Sequence, residues 1–148
     1  MTDKKIKIAI GCDHAGYESK EEIKKQLQQE GYDVKDFGTY STDSVDYPDF
    51  VHPVAQTIQN KEREFGILVC GSGNGVAMTA NKYSHVRAAL SWKNEIAALA
   101  RQHNDANIIC VPARFVDKEE IKKMINTFLN TVFEGGRHQN RVSKISKQ

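Results

Sequence analysis

Residues 65–81 read FGILVCGSGNGVAMTAN. Ile67, Leu68 and Val69 run together with no polar alternation, the pattern of a strand buried on both faces of a parallel sheet. Gly71, Gly73 and Gly75 let the chain turn sharply and bare its backbone N–H groups. The small and apolar residues that follow predict a helix over about 74–82. Such a helix aims unpaired N–H groups and the positive end of its dipole back into the turn. Cys70 closes the strand beside this anion-friendly loop.

Outward from that unit, strand and helix patterns alternate. Residues 6–11 form a first short apolar strand. Ile23 and Leu27, four apart among charges, predict an amphipathic helix over 19–30 that Gly31 can close. Residues 33–37 offer a weak second strand, and residues 38–48 are polar and turn-rich. A helix is expected over 53–60. Residues 65–69 make the third strand, 86–91 the fourth and 107–111 the fifth, with an alanine-rich helix over 94–103 between the last two. Asp117 caps a helix carrying Ile121, Met124, Ile125, Phe128 and Leu129 at helical spacing. The remaining residues, 134–148, contain GGRHQNR and a lysine-bearing tail.

Strands alternating with helices imply one parallel sheet with right-handed crossovers and helices on both faces, a Rossmann-like three-layer α/β sandwich. With five strands in the order 2-1-3-4-5, the point where strand order reverses lies between the first and third strands, and ligands bind there beyond the carboxyl ends. Strand one ends in Gly11-Cys12-Asp13-His14 and strand three in Cys70-Gly71-Ser72. The two turns richest in reactive groups therefore converge on one cleft.

A chain of 148 residues is expected to form a single domain, 1–148, with a core that needs no staples. Its formal charge of +2 offers no global electrostatic case for nucleic acid or membrane. Three cysteines with no C-x-x-C pair suggest neither a disulfide framework nor a zinc knuckle. The apolar part of MTDKKIKIAIG is too short for a signal peptide, and no run reaches the roughly 18 apolar residues of a membrane span. The expectation is a soluble protein of the reducing cytoplasm.

The glycine turn fails the common fingerprints. A dinucleotide motif needs glycine where Val76 stands, a P-loop needs a lysine, and a nucleophile elbow needs glycine at Cys70. A small anion nest remains, or simply a tight turn. A free thiol in a sheet is commonly inert core. At a helix N-terminus its pKa falls from about 8.5 toward neutrality, giving a thiolate that serves as nucleophile or as base. Both readings of Cys70 stand on sequence alone, whereas Cys12 and Cys110 lack the nest and read as structural.

Asp13 and His14 are either a helix cap or ligand contacts at the cleft. His103, in RQHNDAN, ends a helix that is expected to lead back toward the strand-end side, where an imidazole suits acid–base work. No histidine spacing suggests a metal site. Arg137 and Arg141 lie one turn apart if the tail is helical, a geometry for a phosphate, or a solvated basic tail with weak RNA contact.

Taken together, GCDHAG, TDSVDYPDF, CGSGNG, ANK, RQHNDAN and EGGRHQNR resemble the type B ribose-5-phosphate isomerases and the related lactose-pathway galactose-6-phosphate isomerases, from residue 6 to about 142. The resemblance implies an enzyme of the non-oxidative pentose phosphate pathway that needs no metal or other cofactor. It further implies a homodimer or dimer of dimers with active sites at the subunit interface. On matching positions, Cys70 moves a proton between C1 and C2 of a phosphorylated sugar, His103 assists ring opening, and Ser72 helps protons move between the two sugar oxygens. Asp13, His14, Tyr47 and Asn104 contact the sugar, alongside the loop of Gly71, Gly73, Asn74 and Gly75. Arg114, Arg137, His138 and Arg141 hold the phosphate, some of them from the neighbouring subunit. Relatives that lack the cysteine carry glutamate at the position of Val76, so the resemblance assigns the base to Cys70. A six-carbon aldose phosphate is the nearest alternative substrate. A thiol acyl-transfer enzyme using Cys70 and His103, and an RNA-binding module using the tail, are the alternatives of other classes.

Overall fold

The computed structural model describes residues 5–146. Among these, five strands and six α-helices follow one another as β1 (Lys7–Cys12), α1 (Tyr17–Gln29), β2 (Asp33–Asp36), α2 (Pro48–Gln59), β3 (Phe65–Cys70), α3 (Asn74–Ala80), β4 (Ala88–Leu90), α4 (Asn94–Asn104), β5 (Ile108–Pro112), α5 (Lys118–Asn130) and α6 (Arg137–Ile145). A 3₁₀ turn, His14–Gly16, joins β1 to α1. All four strand pairings are parallel.

The sheet order is β2-β1-β3-β5-β4, not the expected 2-1-3-4-5. Right-handed crossovers allow β4 to land beside β3 or one place beyond it. Burial decides between these positions. β5, IICVP, is buried along its whole length and takes the interior place, whereas three-residue β4 is half-buried and takes the edge. The path then reverses after β4, which sends α4 to the opposite face from α3.

The two hydrophobic clusters follow that division. Ile8, Ile10, Ile67, Val69, Ile109 and Val111 face α1, α4 and α5, where Ile23, Leu27, Ala97, Met124, Ile125 and Phe128 cover them. Ala9, Leu68, Cys70, Ile108 and Cys110 face α2 and α3, covered by Val51, Val54, Ile58, Val76 and Ala80. The unalternating run of β3 is thus explained by burial on both faces. The reversal between β1 and β3 survives the changed order, and the cleft stays where sequence placed it.

One boundary differs in a way that matters. α2 begins at Pro48, with Pro53 inside it, and not at 53. Proline at the first helical position sacrifices no hydrogen bond, so the helix starts within the polar segment. The C-terminal segment is helical from Arg137, and residues 147–148 of the tail lie outside the described part.

A buried charge cluster ties the 37–47 segment to the sheet. Lys20 is fully buried, and its Nζ donates to both carboxylate oxygens of Asp36, at 2.9 and 2.8 Å, and to the Thr39 carbonyl at 2.7 Å. Asp36 also accepts from Lys24 Nζ and from the Gly38 N–H. Backbone bonds between Cys12 and Gly38 (2.7 Å) and between Thr39 and Cys12 (2.9 Å) fasten that segment to the end of β1. Burial alone would raise the Asp36 carboxyl, but the hydrogen bonds from Lys20 and Lys24 together outweigh it and hold it below the ordinary value.

Because the folded carboxyl titrates lower than the unfolded one, its stabilisation is present above about pH 4 and is lost as pH falls through the folded value. Lys20→Met leaves the carboxylate only Lys24 as a cationic partner among the described residues. Breaking a buried pair costs about 3–5 kcal/mol. The remaining partner places this variant near about 3 kcal/mol, to be read as a lower urea midpoint at neutral pH.

Candidate active site

The carboxyl ends of β1, β3 and β5 surround a hollow of about 440 Å³. Cys70 forms part of its wall, with Gly71, Ser72 and Gly75 from the loop after β3, Asp13 and His14 from β1, Tyr47 from the start of α2, and Arg114 and Phe115 from the turn after β5. Eight of the residues singled out from sequence therefore meet in one place.

Local chemistry explains how each is held. Asp13 caps the 3₁₀ turn, its Oδ1 accepting from the Gly16 N–H at 3.0 Å. His14 Nδ1 accepts from the Val45 N–H at 3.2 Å, and the other ring nitrogen has no hydrogen-bond partner among the described residues. The Tyr47 ring occupies the space a side chain at 75 would need: its Cζ lies 2.4 Å from where that Cβ would stand. Arg114 likewise packs over Gly71, with Nη1 3.1 Å from the corresponding position. Gly73 has φ of +79°, which favours glycine, and this turn presents its N–H to Cys70 Sγ at 3.1 Å. Asn74 is exposed, with its N–H on Ser72 Oγ at 3.3 Å.

The expected drop in the Cys70 pKa is not observed. Burial raises the thiol above its ordinary value and the Asp13 carboxylate adds to this, while the Gly73 amide opposes it. A helix dipole favours the thiolate, yet α3 is only seven residues long and Cys70 is 6 % exposed. Desolvation of a thiolate at that depth outweighs so short a helix. Cys12 is pushed up to about 12 and Cys110 is raised as well, both by burial, in keeping with structural roles.

The other predicted residues lie elsewhere. His103 is in the last turn of α4, which runs antiparallel to the strands and so ends at their amino edge, not on the strand-end side as expected. Asp105, two residues on, is bonded to Arg87 just before β4. Cys70 pairs with Pro112 at the far end of β5, whose five residues put roughly 13 Å or more between the two edges. At that amino edge His103 stacks on His138, with centroids 4.2 Å apart and planes 11° apart. Arg137 and Arg141 are exposed on the same short helix as His138. Asn104 lines a separate hollow of about 540 Å³ with Arg87, Asn81, Ile145 and Ser146; no cysteine or histidine lines it.

Sequence reasoning passed over Glu134. Its carboxylate lies 3.8 Å from His103 Nε2 and 3.5 Å from His138 Nε2. The three donors fall within 4.8 Å of one another, close enough for a metal ion by distance alone. The stacked rings, however, direct their in-plane lone pairs side by side, whereas a coordinated ion needs them to converge. Burial, His103 and Arg137 push the His138 imidazole below its ordinary value, with Glu134 pulling the other way. The signal for Glu134 was its place four residues before His138, one helical turn had the helix begun earlier.

The sequence model described as Ribose/Galactose Isomerase matches residues 8–145. The chain belongs to that family. It is 48 % identical over 139 residues to a probable ribose-5-phosphate isomerase B of Mycoplasma pneumoniae, covering 93 % of this chain and 91 % of that one. Ribose-5-phosphate isomerase B of Escherichia coli is 41 % identical over 140 residues, covering 95 % and 94 %. Among solved structures, the ribose 5-phosphate isomerase of Thermotoga maritima superposes with a TM-score of 0.95 at 48 % identity, over 97 % of this chain and 99 % of that one. The Mycoplasma genitalium ribose-5-phosphate isomerase B, solved with bound ribulose-5-phosphate, gives 0.93 at 43 % identity, over 98 % and 97 %.

Proposed function

We propose that this chain interconverts D-ribose 5-phosphate and D-ribulose 5-phosphate. The observation that carries the reading is the half-open hollow with a thiol in its wall, in a chain whose structural relative binds ribulose-5-phosphate. Cys70 is the base that takes the proton from C2 of the open-chain aldose and returns it to C1, through a cis-enediolate. Amides of the loop at 71–75 face the developing oxyanion, where one such donor is worth roughly 10²–10³ in rate. Ser72 passes protons between O1 and O2, while Asp13, His14 and Tyr47 hold the hydroxyls.

One chain supplies only half of this site. His103, Asn104, Arg137, His138 and Arg141 lie at the opposite edge of the sheet, so a second copy brings them to the hollow in a homodimer, alone or within a dimer of dimers. Arg114 joins the phosphate clamp from the cysteine side. Exposed Tyr40, Trp92 and Phe115, in segments that follow β2, β4 and β5, give the carboxyl edge an apolar rim suited to such an interface. The phosphate clamp then uses remote binding energy to fix the reacting carbons.

The deciding assay offers purified protein a panel of five- and six-carbon aldose phosphates with chelator present. Turnover of ribose 5-phosphate above the six-carbon sugars, unaffected by chelator, is expected; preference for allose or galactose 6-phosphate would reassign the substrate. The raised Cys70 thiol has a further consequence. The active form is the thiolate, whose fraction grows as pH climbs toward a folded value above the ordinary one. The pH profile of kcat/KM should therefore rise through neutrality into the alkaline range, and a flat profile there would exclude thiolate as base.

A further inference from the structure

We infer that Glu134 is a positioning residue for sugar-ring opening, acting through His103. The inference rests on the proposed isomerase reading. The Glu134 backbone N–H donates to the Gln102 carbonyl at 3.0 Å, which pins the residue beside His103. Gly135 and Gly136, with φ of +69° and +56°, turn the chain so that His138 returns beneath the same carboxylate. One carboxylate oxygen thereby faces the Nε2 atoms of two stacked imidazoles, at 3.8 and 3.5 Å.

The carboxylate that faces both Nε2 atoms stabilises a positive charge there, while the stacked neighbour and Arg137 oppose charge on His138. Arg137 and Arg141 add positive charge from α6, and His138 is the less exposed ring, its side chain 11 % exposed against 41 % for His103. The solvent-reachable ring is the one that can exchange a proton with substrate. Opening of ribofuranose 5-phosphate breaks the C1–O4 bond and turns C1–O1 into the aldehyde. His103 takes the anomeric hydroxyl proton, O4 receives a proton from the imidazolium, and the ring ends in its starting protonation state. Glu134 stabilises the imidazolium through which this passes.

The test exploits a chemical asymmetry. Ribulose 5-phosphate cannot close a furanose because its O5 is phosphorylated, so its C1 exchange with solvent deuterium needs enediolate formation and no ring opening. In Glu134→Gln, kcat on ribose 5-phosphate should fall about 10- to 100-fold, part of the 10²–10⁴ a positioned acid–base group supplies. Deuterium exchange into ribulose 5-phosphate should stay at the wild-type rate, and KM for ribose 5-phosphate should not rise, since a negative charge near the phosphate clamp is lost. Glu134→Asp, which keeps the charge, should lie between the two. If exchange and turnover fall together, or if neither changes, Glu134 has no such role. Failure of wild-type protein to exchange deuterium at all would instead defeat the isomerase reading, and the two failures are thus told apart.

Discussion

Cys70→Ser is expected to leave a folded protein that binds phosphosugar and turns it over roughly 10²–10⁴-fold more slowly, the span a positioned base supplies. A serine hydroxyl is a far weaker base than a thiolate, and it fits the same small volume. The side chain lies in the apolar layer between β3 and α2, so the exchange disturbs little packing. The Gly73 N–H that now meets Sγ keeps an acceptor in the hydroxyl. Near-wild-type turnover would remove Cys70 from the chemistry. Loss of phosphosugar binding with loss of turnover would show damage to the pocket and leave the base unassigned. A covalent adduct on Cys70 found by mass spectrometry would favour the acyl-transfer class.

Mixing two inactive variants is expected to restore activity. Cys70→Ala removes the thiol half of the site, and His103→Ala removes the imidazole half at the other edge of the sheet. In a two-fold dimer that builds each site from both chains, a mixed dimer carries one doubly altered site and one intact site. Random reassortment after denaturation and refolding should recover about a quarter of wild-type activity, since half the dimers are mixed and each has one working site. If each chain held a complete site, the mixture would stay inactive. This measurement addresses the step that one chain cannot display, the meeting of Cys70 and His103 across at least roughly 13 Å of sheet.

Legibility varied from element to element for physical reasons. β3 and its glycine turn were readable because burial on both faces leaves an unbroken apolar run. α5 was readable from its cap at Asp117, which accepts from the Glu120 N–H, and from five apolar residues at helical spacing. The Lys20–Asp36 clamp left a fainter sign: Lys20 shares a helix face with Ile23 and Leu27, a charge on an apolar stripe that demands a buried partner. The order of β4 and β5 had no local sign, since both are short and apolar and the handedness rule accepts either placement. The lowered thiol pKa failed as an expectation because burial depth and helix length, which set the balance, belong to the packed state.

The chain's own pattern determined the α/β class, the parallel sheet, the cleft between β1 and β3, and the residues of the turns after β1 and β3 that line it, because strand ends and tight turns are encoded over a few neighbours. Tertiary structure alone decided which predicted residues share a cavity. Helices of a parallel sheet return to the amino edge, so His103, Arg137, His138 and Arg141 gather there around Glu134, a sheet's length from the thiol. That separation is a property of long-range packing, and no spacing along the sequence reports it.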